Sequence, residues 1–183
     1  RSALLPPRPS LLREHLWRAA AHQHREGDVQ HWWHPPTDRG VRPHFPDAYL
    51  WLRCAPCRYV DSLGDTGVLE EKIPFLEGRP VRPEEDAYYD APRISGEIDT
   101  LYEHCVRAIR NGLKFGEHGL PLLGCGDWID GMNLFGERGR GESVWLGFFL
   151  YVVLKRFSIL ARHRGDSPFA PECAEQSRRL REN

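Results

Sequence analysis

Apolar positions along this chain recur mostly at helical spacing. Leu12, Leu16, Ala19 and Ala20 share one face of the stretch after Ser10, predicting a helix over residues 11–27 with Ser10 as its cap and Gly27 as its stop. A second helix is predicted from about Asp47 to residue 64, with Pro56 inside it expected to kink or break it. Asp65 opens a short helix and then a turn, and the polar, Pro-rich residues 77–93 read as a surface loop. Ser95 is expected to cap a helix over 96–112, with Ile98, Leu101, Cys105, Ala108 and Ile109 as its stripe. Two further helices are expected over residues 143–163 and 167–182. No stretch shows strong strand alternation, so the pattern of helix, long loop, helix predicts an all-α array of paired helices.

Length and composition narrow the class. The chain has 183 residues, enough for one domain with a core, and its 40% hydrophobic and 28% charged content suits a soluble globular protein. A formal net charge of −1 provides no bulk field for nucleic acid or an anionic membrane. The most apolar run, "VWLGFFLYVVL" at 144–154, is short of the ~20 residues of a spanning helix and is apolar all round, so no membrane segment is expected and a buried helix is. The opening "RSALLPPRPSLL" lacks an apolar core followed by a small-residue cleavage site. With Cys54, Cys57, Cys105, Cys125 and Cys173 an odd set, a reducing cytoplasm with free thiols is expected. The "CAPC" pair falls inside a predicted helix and supplies only two of four zinc ligands, so neither a metal nor a redox role is expected for it.

Two loops, residues 30–47 and 116–142, exceed the ~12–15 residues of a plain connector. Both are dense in Trp, His, Arg and Asp. Aromatic faces and bidentate Arg or Asp contacts suit a polyhydroxylated ligand, which points to carbohydrate. The second loop holds "GCGDWIDGMN", with Asp127, Trp128 and Asp130 between glycines; a turn anchored by a buried Trp would give the same string. His31, Trp32, Trp33 and His34 read either as a subsite wall or as a packed aromatic knot. Glu103 and His104 fit a barrel mouth or an interhelical contact equally well, and Arg138 and Arg140 are candidate anion contacts.

Several long words of the chain, "GDVQHWWHPPTDRGVR", "GDTGVLEEKIPFLEGRP", "GEHGLPLLGCGDWIDGMN" and "GRGESVWLGFFL", resemble glycoside hydrolase family 94, nearest its cyclic β-1,2-glucan synthase and oligoglucan phosphorylase branches. The resemblance implies an inverting phosphorylase whose catalytic domain is an (α/α)6 barrel, of which residues 1–183 would be one fragment. It implies Asp130 as general acid, Trp128 and Asp127 at the sugar, and Arg42 and Asp47 gripping sugar hydroxyls. Ala48 stands where the family has a second Asp, and Ile129 where it has Asn. The implied partners are a β-glucan oligosaccharide and inorganic phosphate as co-substrate, with no cofactor, and the parent protein is expected in the cytoplasm or at the inner membrane. The alternative is a non-catalytic remnant that still binds glucan. A half-barrel would expose one flank of the 144–154 helix, so the chain is expected to need the rest of the barrel or to self-associate.

Overall fold

The computed structural model describes residues 8–129, 131–136 and 139–183. The all-α expectation is wrong: half of the chain is helical, and 19% lies in two antiparallel sheets, giving a mixed α/β architecture. The order is α1 (Pro9–Ala21), β1 (Trp32–His34), β2 (Arg39–Pro43), α2 (Pro46–Leu63), a 3-10 turn (Thr66–Glu70), β3 (Lys72–Glu77), β4 (Ala87–Asp90), β5 (Arg93–Thr100), α3 (Leu101–Gly112), α4 (Asn133–Gly136), α5 (Val144–Arg164) and α6 (Phe169–Glu182).

The strands come from segments that read as loop or helix. β1 and β2 form a hairpin inside the first long loop, pairing Trp32 with Val41 and His34 with Arg39. β4 adds to the other edge of β2, with Tyr88 opposite Arg42, so two polar loops far apart in sequence zip together. β3 and β5 form a separate pair with a register shift between Pro74 and Leu76. The helix expected over 96–112 starts five residues later. Ser95 lies in β5, and Thr100 caps α3 by accepting the Glu103 N–H at 3.1 Å. Thr100-x-x-Glu103 is the spacing of a capping box, a start signal that the Ile98–Leu101–Cys105 stripe masks.

α1 stops at Ala21, not Gly27, because the chain turns back there. The Gln23 carbonyl is drawn off to another partner, accepting the Leu76 N–H at 2.7 Å, while its side-chain Nε2 donates to the carbonyls of Gly27 and His104. α2 runs through Pro56 without the expected break. Its burial among α1, α3 and α5 compensates the missing amide hydrogen bond. Gly64 ends it in a left-handed conformation.

The core lies where α2, α3, α5 and α6 meet. Leu50, Leu101, Ile109, Leu150, Leu154 and Phe157 are fully buried there, and the Phe157 ring stacks on Tyr102 and meets the edge of Phe169. α5 is not buried all round. Val144, Phe148, Val152 and Ile159 remain exposed, Phe148 at 71%, so one flank is uncovered as expected. At 21 residues α5 is also long and apolar enough to cross a membrane, with half of its most apolar stretch buried in this fold.

Two histidines sit inside the sheet-helix junction. The His104 ring stacks on Phe75 at 3.8 Å, and its Nε2–H donates to Ile73 O at 3.0 Å. His24 is 1% exposed. Burial lowers both imidazoles from 6.5 to about 4, with the positive charge of Arg42 adding to the effect on His24 and that of Arg107 on His104. The unfolded chain takes up these protons near pH 6.5, whereas the folded chain does so only near 4. Stability from both is therefore complete above pH 6.5 and lost as pH falls toward 4. The melting temperature should drop across that window, and His104→Gln, which retains a donor for Ile73, should flatten the drop.

Candidate functional site

The motif loop owes its path to glycines. Gly124 has φ +63°, and a Cβ there would collide with the His44 carbonyl oxygen; at Gly136 a Cβ would collide with the Gly124 carbonyl oxygen. Backbone therefore packs directly on backbone, and the loop is fixed against the turn that precedes α2: Cys125 N–H donates to His44 O at 3.1 Å, and Cys125 Sγ–H to Asp86 O at 3.2 Å. Asn133 Nδ2 reaches Asp86 Oδ2 at 3.1 Å, joining the loop to the start of β4.

That framework presents an aromatic face. Trp128 is 66% exposed, and its ring centroid lies 5.8 Å from Trp51 on α2 and 6.3 Å from Trp145 on α5. Phe149 closes the group, 4.5 Å from Trp51 and 5.4 Å from Trp145. Trp51 and Trp145 were not singled out in the sequence, although helical spacing places Trp145 beside Phe149. Four rings from three elements meet here at tilted angles, and Trp51, Trp128 and Trp145 all remain exposed.

Asp47, Asp127 and Trp128 are brought together. Trp51 Nε1–H donates to Asp47 Oδ2 at 3.3 Å, so Asp47 supports the ring that neighbours Trp128. Asp47 is 4% exposed, and its Oδ1 finds no hydrogen-bond partner among the described residues. Burial raises its pKa, the negative charge of Asp127 adds to this, and Trp51 and His31 oppose it. Asp127 is buried, and its oxygens accept the Ile129 N–H at 3.1 Å and the Ser143 hydroxyl at 2.7 Å. Asp130, the expected general acid, lies outside the described residues, as do Glu137 and Arg138. Arg140 is exposed.

Arg42 is placed elsewhere. It is 2% exposed and forked onto Asp28, through Nε to Oδ2 and through Nη2 to Oδ1 at 2.8 Å. Its remaining donors reach Glu26 and the carbonyls of Gly78 and Arg79. Burial disfavours its charge, but the Asp28 hydrogen bond and charge outweigh that and the pKa is raised. Among the described residues its donors hold the turn at residues 24–28 to the chain after β3, and it makes no contact with the aromatic face.

The first-loop aromatics divide. Trp33 stacks on His22 at 3.7 Å, a packing contact, whereas Trp32 is exposed and leans on Tyr89 of β4. His31 meets the edge of Phe45 and lowers the pKa of Asp47 through its charge. Cys54 and Cys57 lie on α2, where burial raises both thiols and works against thiolate chemistry. Among the described residues no three His, Cys, Asp or Glu side chains are grouped to hold a metal. A cavity of about 250 Å³ opens beside Gly124 and Cys125, lined also by His44, Tyr49, Asp86 and Lys114. It does not include Asp127 or Trp128, so the loop has two distinct faces.

Comparison with known proteins identifies the class. The catalytic domain of the glycosyl hydrolase 94 superfamily matches residues 3–183. Cyclic β-(1,2)-glucan synthase NdvB of Rhizobium meliloti is 45% identical over 168 residues, 91% of this chain and 6% of the synthase. Solabiose phosphorylase of Paenibacillus borealis is 30% identical over 95% of this chain and 20% of its own length. The 3-O-β-D-glucopyranosyl-β-D-glucuronide phosphorylase of the same organism is 27% identical over 94% of this chain and 21% of its own length. The chain thus spans a fifth or less of the first two relatives and 21% of the third.

The glycine packing makes a direct prediction. Gly136→Ala should displace the loop and lower stability by about 1–3 kcal/mol, the range for overpacking, whereas Gly131→Ala, with open space around its Cβ, should stay within about 0.5 kcal/mol. Urea denaturation of the two variants beside the parent checks it.

Proposed function

This chain belongs to the glycosyl hydrolase 94 superfamily, and from that premise we propose that it is part of a catalytic domain that transfers a glucosyl unit between a β-1,2-glucan and inorganic phosphate. A carbohydrate-active, phosphorylase-like role follows from the membership and from relatives named as phosphorylases. The single observation that carries the sugar-binding part is the exposed face of Trp128, Trp51 and Trp145. Such rings stack on the CH faces of a pyranose, and Asp47 beside them has a carboxylate oxygen with no side-chain partner among the described residues.

The chemistry explains why one acid is enough. An inverting hydrolase needs a base to activate water and an acid for the leaving oxygen. Phosphate is already an anion and needs no base. Asp130 is proposed to protonate the glycosidic oxygen as its bond to the anomeric carbon breaks and the bonding pair leaves with that oxygen. A phosphate oxygen attacks the same carbon from the opposite face, and the configuration inverts. Asp130 must arrive protonated. Phosphate acts here as co-substrate, and no further cofactor enters the reaction.

A second reading has its own support. With Arg42 committed to Asp28 and Ala48 in place of a carboxylate, the chain would bind glucan without turning it over.

Phosphate release and consumption with β-1,2-linked gluco-oligosaccharides separates the readings. If the purified chain turns them over, Asp130→Asn should lower the rate by ~10²–10⁴-fold, the usual contribution of a general acid. Unchanged turnover in that variant would remove Asp130 from the role. Binding without turnover favours the second reading. Calorimetric titration should show Trp128→Ala weakening oligosaccharide binding well beyond Trp17→Ala, a similarly large change on the exposed side of α1. A parent chain that neither binds nor turns over these sugars would overturn both readings.

A further inference from the structure

Asp127 has both carboxylate oxygens engaged inside the protein. Oδ1 accepts the Ile129 N–H at 3.1 Å and closes a turn around Trp128. Oδ2 accepts the Ser143 hydroxyl at 2.7 Å. The same hydroxyl oxygen accepts the Leu146 N–H at 3.0 Å and is the N-cap of α5. The carboxylate therefore rests at the positive end of a 21-residue helix, where an anion is favoured. Trp145, the second residue of that helix, lies 6.3 Å from the Trp128 ring. The backbone on either side is tied independently, by Leu123 N–H to Gly141 O at 2.7 Å and Ser143 N–H to Pro121 O at 2.9 Å.

We propose that Asp127 is a positioning residue: acting through Ser143, it sets the register between the Trp128 turn and the first turn of α5, so that Trp128 and Trp145 present one face. Asp127 itself is given no contact with the sugar. The functional consequence rests on the sugar-binding reading above, but the geometric claim stands without a ligand. Losing the link at either end should free Trp128 from Trp145. The independent backbone pairs keep the loop in place, so the fold persists.

The full chain is tested with Asp127→Ala, Ser143→Ala, the double variant and Ser143→Thr, which restores the hydroxyl. Thr100→Ala is the control: it removes the corresponding cap of α3, away from the motif. The first readout needs no ligand. Acrylamide quenching, with Trp128→Phe subtracted to isolate that ring, should show Trp128 more accessible in both single variants, no further change in the double, and recovery in Ser143→Thr. The second is affinity for a β-1,2-linked glucotriose. It should fall about tenfold in either single variant and not further in the double, as expected when two residues act as one unit. Thr100→Ala should lower the melting temperature and leave both readouts alone. Additive losses in the double variant, equal losses in Thr100→Ala, or unchanged Trp128 quenching in Ser143→Ala would each overturn the proposal. Should Asp127→Ala fail to fold, Ser143→Ala and its threonine rescue decide the question. If the parent binds no trisaccharide, the sugar-binding reading falls, and quenching alone decides the positioning role.

Discussion

One hydroxyl, Ser143 Oγ, connects the hydrophobic core to the exposed chemistry. On one side it caps the helix that fills the centre of the fold; on the other it donates to the Asp127 carboxylate. α5 owes its position to burial of Leu150, Leu154 and Phe157 against α2, α3 and α6. The motif loop has few apolar side chains of its own to bury, and borrows that position through a carboxylate, a hydroxyl and an amide in series. Charge-assisted hydrogen bonds of this kind are short and directional, so they transmit placement where a greasy contact would slide. The glycines at 124 and 136 do the rest by letting backbone close on backbone.

Buried polar groups are otherwise used for architecture. Arg42 clamps a turn to the chain after β3 through four acceptor residues. Gln23 bridges two carbonyls, and His104 ties α3 to β3. Arg53 stands apart. It is fully buried, its three nitrogens find no acceptor among the described residues, and burial pulls its pKa down to about 9. The thiols of Cys57, Cys105 and Cys173 are its electrostatic neighbours. An isolated cation in such a place opposes folding, and the apolar packing around it carries that penalty.

Much of this was legible in the sequence. α5 and α6 follow from an apolar run and an amphipathic one, and the second long loop from its length and composition. The motif words pointed to the family before any coordinates. The strands were hidden for a specific reason: β5 carries Ile94 and Ile98 on its solvent side, so its apolar residues fall in phase with the stripe of α3. β1, β2 and β4 are three to five residues long and rich in Arg, His and Tyr, too short and polar for an alternation to emerge. The placement of Arg42 depends on Asp28, fourteen residues upstream, and no local pattern encodes that distance. Asp127, a carboxylate beside a tryptophan in a glycine-rich loop, has the pattern of a ligand contact, and no local signal reveals its hydrogen bond to Ser143, which lies across a loop closure.

The seam between β2 and β4 has an effect beyond its hydrogen bonds. It closes a stretch of chain that includes all of α2 and β3 into a loop with pinned ends. Bringing those ends together costs configurational entropy on folding, and the cost grows only logarithmically with the length enclosed. A seam of four residue pairs is therefore almost indifferent to how many residues it encircles. The exposed turn at Pro83 and Glu84, between the carbonyls that hold Arg42 and the contacts of Asp86, can therefore lengthen at little entropic cost while the ends stay clasped, without loosening α2, the helix that carries Asp47 and Trp51.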